Sequence, residues 1–153
     1  MDLTIAELPL GRGTLGICSM PGRAGFYEAD LAALRRWGPS MVVSMISAEE
    51  MARVAPELGA DLARLGIRWV HLPVQDFGVP EAGWGEVSAA AHAEITNGFK
   101  VLVHCMGGCG RSGTAVLRLM VEAGEAADVA LTRLRKARPC AVETDAQYAW
   151  ASR

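Results

Sequence analysis

The sequence predicts a single α/β domain with a mainly parallel central sheet of about four to five strands, flanked by helices on both faces. Two observations predict this class. Short runs rich in β-branched residues alternate with amphipathic helical patterns along most of the chain. Glycine and proline punctuate these segments, and no linker, repeat or low-complexity stretch divides the 153 residues. We therefore expect one domain over residues 1–153, long enough to bury a hydrophobic core.

The predicted strands are residues 14–18, 41–45, 68–72 and 100–104. Helical periodicity predicts helices at residues 28–37, 48–65, 81–97, 113–122, 126–137 and 144–152. In open α/β sheets, ligands bind beyond the carboxyl ends of the strands. The loops that follow residues 72 and 104 should therefore meet at one site.

Composition narrows the class of protein. A hydrophobic fraction of 51% and a charged fraction of 21% are typical of a globular chain. The formal net charge of −2 gives no general attraction to nucleic acid or to an anionic membrane, so we expect neither as a partner. No apolar run approaches the about 20 residues of a membrane span, and no leader-like segment opens the chain. These patterns predict a cytoplasmic location.

The cysteines do not indicate a disulfide scaffold or a metal site. Four cysteines are too few for a disulfide-rich secreted domain of this size. Cys105 and Cys109 have only His104 nearby as a further ligand, so we expect no metal. Cys18 and Cys140 are expected to be inert, and Cys109 to fill a small apolar gap behind its loop. A second hypothesis for Cys109 is that it captures an oxidised Cys105 as a disulfide.

Residues 104–113, HCMGGCGRSG, form the most informative segment of the chain. A strand, a glycine-rich turn and a helix start together make an anion cradle, because successive backbone N–H groups and the helix dipole face the anion. Cysteine, five residues and then arginine and serine is a specific pattern in this context. The predicted phosphate-binding residues are Met106, Gly107, Gly108, Cys109, Gly110 and Arg111.

Four side chains of this segment have predicted roles. The cradle and Arg111 favour the thiolate form of Cys105, which makes it a nucleophile. Arg111 offers a planar fork that matches two phosphoryl oxygens. Ser112 can donate a hydrogen bond to the sulfur and so improve it as a leaving group. His104 is expected to point away from the cradle, to hydrogen-bond the backbone and to act in support.

Expulsion of an alkoxide or phenoxide needs a proton, and Asp76 is the candidate general acid. It lies in the loop between Pro73 and Pro80, with Gly78 for mobility. An aspartate beside glycine is also common as a turn residue, and position alone leaves both interpretations open. A basic cluster on a late helix is expected to be a solvated face: Arg133, Arg135, Lys136 and Arg138.

Four segments resemble one family, the cysteine-dependent protein phosphatases of the dual-specificity-like branch, and within it the kinase-associated phosphatase (cyclin-dependent kinase inhibitor 3-like) family. LGICSMPGR resembles the family's first strand and turn, HLPVQDFGVP its general-acid loop and HCMGGCGRSG its signature loop. AVETDAQYAW resembles the segment that supplies a glutamine to position the hydrolytic water. The likeness runs from about Leu15 to Trp150 and implies the cysteine phosphatase fold.

The resemblance implies a two-step mechanism without a metal or organic cofactor. Cys105 would attack phosphorus while Asp76 protonates the leaving oxygen, and water would then hydrolyse the phosphocysteine with Asp76 as base. Glu143 stands where the family has its first glutamine, so either Glu143 or Gln147 would position the water. The carboxylate of Glu143 would be repelled by the negative charge of a phosphoryl group, which favours Gln147.

The function predicted is hydrolysis of phosphotyrosine, with phosphoserine and phosphothreonine as further candidates, in a phosphoprotein or phosphopeptide. The signature loop carries no lysine or second arginine, which disfavours highly anionic inositol phosphates. The alternatives are a phosphatase of a non-protein phosphomonoester and a non-catalytic phosphate-binding module. A sulfurtransferase or arsenate reductase also places a cysteine loop at a strand end, but the spacing to Arg111 and the presence of Asp76 favour a phosphatase.

Overall fold

The fold was obtained as a computed structural model and is described for residues 3–153. The strands are β1 (Ala6–Leu10), β2 (Gly13–Cys18), β3 (Met41–Ser44), β4 (Arg68–His71) and β5 (Lys100–His104). The helices are α1 (Tyr27–Trp37), α2 (Ala48–Val54), α3 (Leu58–Arg64), α4 (Trp84–Thr96), α5 (Gly110–Glu122), α6 (Ala127–Ala137) and α7 (Asp145–Ala151). The strand order is β1-β2-β5-β3-β4, with β1 antiparallel to β2 and the other neighbours parallel. The predicted fold class is confirmed.

The central strand β5 shows that both faces of the sheet are covered. Val101 and Val103 point to one face and Leu102 to the other, and all three are at most 1% exposed. Such a run without polar alternation is typical of a parallel strand between two helical layers. Helices α4 and α5 both pack against β2 and β5.

Strand β1 is not predicted by the sequence pattern. Leu8 and Leu10 are buried, while the alternate positions Glu7 and Pro9 are exposed. Proline cannot donate a ladder hydrogen bond, and it is therefore confined in sheets to edges such as this one. Five residues with a proline gave too weak a pattern to predict a strand.

The predicted helix at 48–65 is wrong in its continuity, because the structure has two helices there. Helix α2 ends at Val54 and α3 begins at Leu58, with Pro56 between them. Proline lacks the N–H that a continuing helix needs and disfavours helical backbone in the preceding residue. Helix α5 begins at Gly110, three residues before the predicted start, so Arg111 and Ser112 belong to its first turn.

The register of the sheet brings the candidate residues together at one edge. Cys18 of β2 and Ser44 of β3 both lie beside His104, the last residue of β5. Cys105 therefore leaves the sheet between two strand ends, and the loop after β4 carries Asp76. Within residues 3–153, no helix has the length and apolarity required to cross a membrane.

Candidate active site

The signature loop, residues 104–113, runs from the end of β5 into the start of α5, and its second residue is a buried cysteine. Cys105 is 2% exposed, and its Sγ lies 3.2 Å from Oγ of the fully buried Ser112. Ser112 stands in the first turn of α5, so the helix N-terminus is aimed at the sulfur. The thiol, the hydroxyl and the helix dipole thus converge where the sequence predicted an anion cradle.

Gly108 allows this loop to fold tightly against the sheet. Its φ is +71°, and a Cβ there would lie 2.6 Å from the carbonyl carbon and oxygen of Cys18. Both the left-handed backbone and the close approach to the end of β2 require glycine. Any side chain at this position would push the loop away from the strand that supports it.

His104 lies behind the loop at the end of a buried hydrogen-bond chain. Trp69 Nε1 donates to Ser44 Oγ over 2.9 Å, and Ser44 Oγ lies 2.5 Å from His104 Nε2. His104 Nδ1 lies 3.1 Å from the backbone oxygen of Cys105. Burial lowers the pKa of His104 to about 4. The imidazole is therefore neutral, with Nδ1 donating to Cys105 O and Nε2 accepting from Ser44.

His104 hydrogen-bonds the backbone, as predicted from the sequence. Its hydrogen-bond chain also brings two further residues, Ser44 and Trp69, to the site. Ser44 and Trp69 fix the tautomer of His104, and His104 Nδ1 in turn binds the backbone oxygen of Cys105. Neither residue has a sequence signal for that role, because both come from other strands.

Arg111 is held by a bidentate ion pair that the sequence analysis missed. Its Nη1 donates to Glu50 Oε1 over 2.7 Å and to Val74 O over 3.0 Å, and its Nη2 donates to Glu50 Oε2 over 3.1 Å. Burial acts to lower the pKa of Arg111, but hydrogen bonding to Glu50 and the attraction of neighbouring groups, Glu50 and Asp76 among them, together outweigh it, and the pKa is raised. Hydrogen bonding from Arg111 in turn lowers the pKa of Glu50 to about 2.

Glu50 is itself fixed by the start of helix α2. Its Oε1 accepts from the backbone N–H of Ser47, and its own N–H donates to Ser47 Oγ, which makes a capping box. The sequence Ser-Ala-Glu-Glu at 47–50 carries the signal for this cap. The cap could have been predicted, but its meeting with Arg111 depends on the tertiary fold.

One donor of Arg111 has no protein partner. Arg111 Nε is buried and makes no hydrogen bond to any of the residues 3–153. A buried donor without a partner costs free energy, so it marks a place where a ligand acceptor belongs. With Nη1 and Nη2 held by Glu50, the Nε edge of the guanidinium is the edge left for an oxyanion.

Asp76 lies close to this arginine. Its Oδ1 is 3.8 Å from Arg111 Nη2, and its side chain is 63% exposed. The same oxygen accepts a hydrogen bond from the N–H of Phe77, whose φ is +64°. Asp76 can therefore be both a turn residue and a residue of the site, because the turn that it makes with Phe77 aims its carboxylate towards Arg111.

Gln147 and Glu143 both lie beside the signature loop, but Gln147 is buried and Glu143 is exposed. Gln147 is fully buried; its Oε1 accepts from the N–H groups of Glu143 and Thr144, and its Nε2 donates to Gly78 O over 3.1 Å. It thus ties α7 to the loop that carries Asp76. Glu143 is exposed, and its carboxylate lies against Gly110, where a Cβ would collide with it.

The expectation for Cys109 and Cys140 is wrong. The two residues form a disulfide with Cα atoms 5.1 Å apart. Cys109 is therefore neither a simple apolar filler nor a free thiol beside Cys105, and Cys140 is not inert. The free cysteines among the described residues are Cys18 and Cys105. Sequence separation hid the pair, since the two cysteines are 31 positions apart and two helices lie between them.

The predicted solvated face on the late helix is also wrong for its arginines. Arg138 Nε donates to Gly108 O over 2.9 Å and its Nη2 to Gly107 O over 3.0 Å. Arg135 donates to the carbonyls of Ala141 and Val142, while Arg133 pairs with a glutamate of the preceding turn, Glu125. Arg135 contacts the segment that follows α6 and Arg138 contacts the signature loop, whereas the partner of Arg133 precedes the helix.

A buried cysteine and a fixed arginine on one strand–loop–helix unit, with an acidic loop alongside, are the elements of a cysteine-dependent phosphatase. Residues 14–150 match the family described as Swiss Army Knife protein, DSP-PTPase phosphatase domain (PTP-SAK), and the chain belongs to that family. It is thus a dual-specificity-type protein phosphatase that works through a catalytic cysteine.

Similar proteins support this assignment. Cyclin-dependent kinase inhibitor 3 of Mus musculus is 30% identical over 161 residues, which cover 95% of this chain and 75% of that protein. The corresponding protein of Rattus norvegicus is also 30% identical, with 95% and 76% covered.

Two solved structures share the fold. Kinase associated phosphatase, with serine in place of its catalytic site cysteine, has a TM-score of 0.88 and 25% identity, covering 99% of this chain and 93% of that one. Tk-PTP in its active form has a TM-score of 0.76 and 31% identity, covering 95% and 92%. The predicted family resemblance is confirmed.

Proposed function

We propose that this phosphatase hydrolyses phosphotyrosine, and also phosphoserine and phosphothreonine, in phosphoproteins through a phosphocysteine on Cys105. The unpartnered Nε of Arg111 carries the proposal. Glu50 fixes the other side of the guanidinium, so the Nε edge is preorganised for phosphoryl oxygens before substrate arrives.

In the first step, Cys105 Sγ attacks phosphorus and the bond from phosphorus to the ester oxygen breaks. Asp76 donates its proton to that oxygen, so the side chain of the substrate leaves as an alcohol or phenol. The backbone N–H groups of residues 106–111 and the Arg111 fork hold the other three oxygens, whose charge redistributes in the transition state. The exposure of the Asp76 side chain supports this role, because the leaving group of a protein substrate lies on the solvent side of the site.

In the second step, water attacks the phosphocysteine and the sulfur–phosphorus bond breaks. Asp76, now a carboxylate, accepts a proton from the water. Ser112 Oγ, 3.2 Å from Sγ, donates to the sulfur as its negative charge returns. We assign the positioning of this water to Gln147, because its amide is fixed beside Gly110 and its second N–H remains for a ligand.

The phosphoprotein substrate is supported by three observations. Relatives of this chain include a protein named kinase associated phosphatase, and the signature loop lacks the lysine that a highly anionic small molecule would favour. The loop after β4 also presents Phe77, 59% exposed, next to Asp76. An apolar ring at that position suits contact with a peptide more than contact with a free sugar phosphate.

A variant of the nucleophile tests the proposal. Cys105→Ser should abolish turnover of an aryl phosphate and of phosphotyrosine peptides, because a serine hydroxyl is not ionised at neutral pH. Binding of inorganic phosphate, measured by calorimetry, should persist, since the cradle and Arg111 remain. Cys18→Ala, which removes the other free cysteine, should keep both activities. Turnover by Cys105→Ser would overturn the covalent mechanism. A wild-type protein that hydrolyses aryl phosphate but no phosphopeptide would overturn the substrate class.

A further inference from the structure

The segment of residues 138–144, between α6 and α7, holds the signature loop from its outer side, and we call it the brace segment. Arg138 binds two loop carbonyls, Cys140 is bonded to Cys109, and Val142 N–H donates to Cys109 O over 3.2 Å. Three consecutive loop residues, 107–109, are therefore held from one side. The mechanism proposed above uses none of these contacts.

These contacts fix the orientation of the loop amides. In a trans peptide the C=O and the following N–H point in opposite directions. Arg138 draws the carbonyls of Gly107 and Gly108 outward, so the N–H groups of Gly108 and Cys109 turn inward. Val142 does the same for the peptide between Cys109 and Gly110. The brace segment thus aims the donors that hold the phosphoryl group.

The disulfide is the covalent part of this arrangement. Cys109 is the residue that caps the start of α5, and Cys140 lies two residues after Arg138. Without the bond, the ends of the two segments are joined only by hydrogen bonds. With it, the distance between the loop and Arg138 is limited by the chain itself. Cys140 is exposed, so thiols and disulfides in solution can reach this bond.

We propose that Cys109, Cys140 and Arg138 are positioning residues of the phosphatase, and that the thiol–disulfide state of the cysteine pair sets the affinity of the signature loop for phosphate. The disulfide form binds the phosphoryl group more tightly. This inference rests on the proposed function for the identity of the ligand, but its main readout is phosphate binding rather than turnover.

The redox step is an exchange with a low-molecular-weight disulfide such as glutathione disulfide. The exposed Cys140 thiolate attacks one sulfur of that disulfide, releases one glutathione thiolate and forms a mixed disulfide. The Cys109 thiolate then attacks the Cys140 sulfur and releases the second glutathione. Two protein thiols lose two electrons and two protons, and one glutathione disulfide becomes two glutathiones. Excess glutathione reverses both steps.

Phosphate binding is measured in the Cys105→Ser variant, so that any effect of glutathione comes from Cys109 and Cys140. The reactive Cys105 is absent from this variant, and Cys18 is fully buried. We expect the dissociation constant of inorganic phosphate to be about 3- to 30-fold larger in glutathione than in glutathione disulfide, the range typical for a packed neighbour that modulates a site. Adding Cys140→Ala should fix the constant near the reduced value in both buffers. Mass spectrometry of the 109–140 linkage confirms the state of each sample.

Arg138→Gln provides the second variant. It should weaken phosphate binding even in the disulfide form, and combining it with Cys140→Ala should give less than the sum of the two effects because both act on the same loop. Equal phosphate affinity of the oxidised, reduced and Cys140→Ala proteins, with native circular dichroism in each, would overturn the proposal. Failure of the proposed function would be distinct, since it would appear as lack of turnover in a protein whose phosphate affinity still follows the redox state.

Discussion

Some N–H donors of Arg111 are bonded to the protein, and one is left for a ligand. Glu50 and the carbonyl of Val74 take Nη1 and Nη2, while Nε is left without a partner among residues 3–153. A free arginine side chain loses considerable conformational entropy when it is ordered, so anchoring before substrate binding removes that cost from catalysis. The ion pair with Glu50 therefore matters to the reaction although Glu50 does not touch the phosphoryl group.

Glu50→Gln tests this division. The amide keeps the size of the side chain but loses the charge and one acceptor, so the guanidinium is held less firmly. We expect kcat/KM for an aryl phosphate to fall about 10- to 100-fold, the loss associated with misplacement of a reacting group by about an ångström. Glu49→Gln, on the adjacent exposed position of α2, is the matched control and should stay at the wild-type value. Equal rates for the two variants would show that Glu50 does not position Arg111.

Asp76→Asn tests the general acid. The amide cannot supply a proton, so turnover of esters with poor leaving groups should fall by about 100- to 10,000-fold. Esters whose leaving group is stable as an anion should lose much less, and the limb of the pH–rate profile that reports the acid should flatten. Steady-state rates over a series of aryl phosphates measure how the loss of turnover depends on the leaving group. The same loss for every leaving group would make Asp76 a turn residue only.

At the scale of elements, the contact between α5 and the brace segment depends on a glycine. A Cβ on Gly113 would lie 2.7 Å from Val142 N and 3.0 Å from the Cα of Ala141. The helix can therefore approach residues 141–142 only without a side chain at this position. The same contact places Val142 N–H against the signature loop.

Gly113→Ala should consequently destabilise the protein. Overpacking against backbone typically costs about 1–3 kcal/mol, so we expect a decrease of that size in the free energy of unfolding measured by urea denaturation. Gly85→Ala in α4 is the control: a Cβ there meets nothing within 4 Å, and alanine should stabilise the helix by about 0.5–1 kcal/mol. If both substitutions stabilise, the packing of α5 on the brace segment is not as described.

These elements also show how far the sequence could be interpreted. The strands β2 to β5, the signature loop and the helix after it follow from local patterns, since hydrophobic period and glycine placement are local properties. Strand β1 was missed because it has only five residues and contains Pro9, a residue that disfavours strands away from sheet edges. Glu50, Ser44 and the Cys109–Cys140 bond were missed because each meets the site from a distant segment, and a single sequence contains no record of that proximity.

At the scale of the whole molecule, the buried His104 and the half-buried Glu50 link stability to pH. The pKa of His104 is about 4 in the folded protein and 6.5 is its ordinary value, so the unfolded chain binds the proton more readily between these values. The pKa of Glu50 falls from 4.5 to about 2 on folding, so its contribution is lost as the pH decreases through that window. Both effects act in the same direction.

We therefore expect the free energy of unfolding to decrease as the pH falls from about 6.5, first through His104 and below pH 4.5 also through Glu50. Urea titrations at a series of pH values measure this. His104→Asn, whose amide can still donate to the Cys105 carbonyl, should flatten the curve between pH 6.5 and 4 relative to the wild type. An unchanged slope in that variant would mean that His104 is not the titrating group.

The phosphocysteine itself is the central claim of the mechanism, and rapid chemical quench tests it most directly. Wild-type protein is mixed with an aryl phosphate, quenched in acid within the first turnover, digested and mapped by mass spectrometry. We expect one phosphoryl group on the peptide that contains Cys105, more of it in Gln147→Ala, which should slow the attack by water, and none in Cys105→Ser. Steady turnover by the wild type with no phosphorylated Cys105 peptide in either active protein would contradict it.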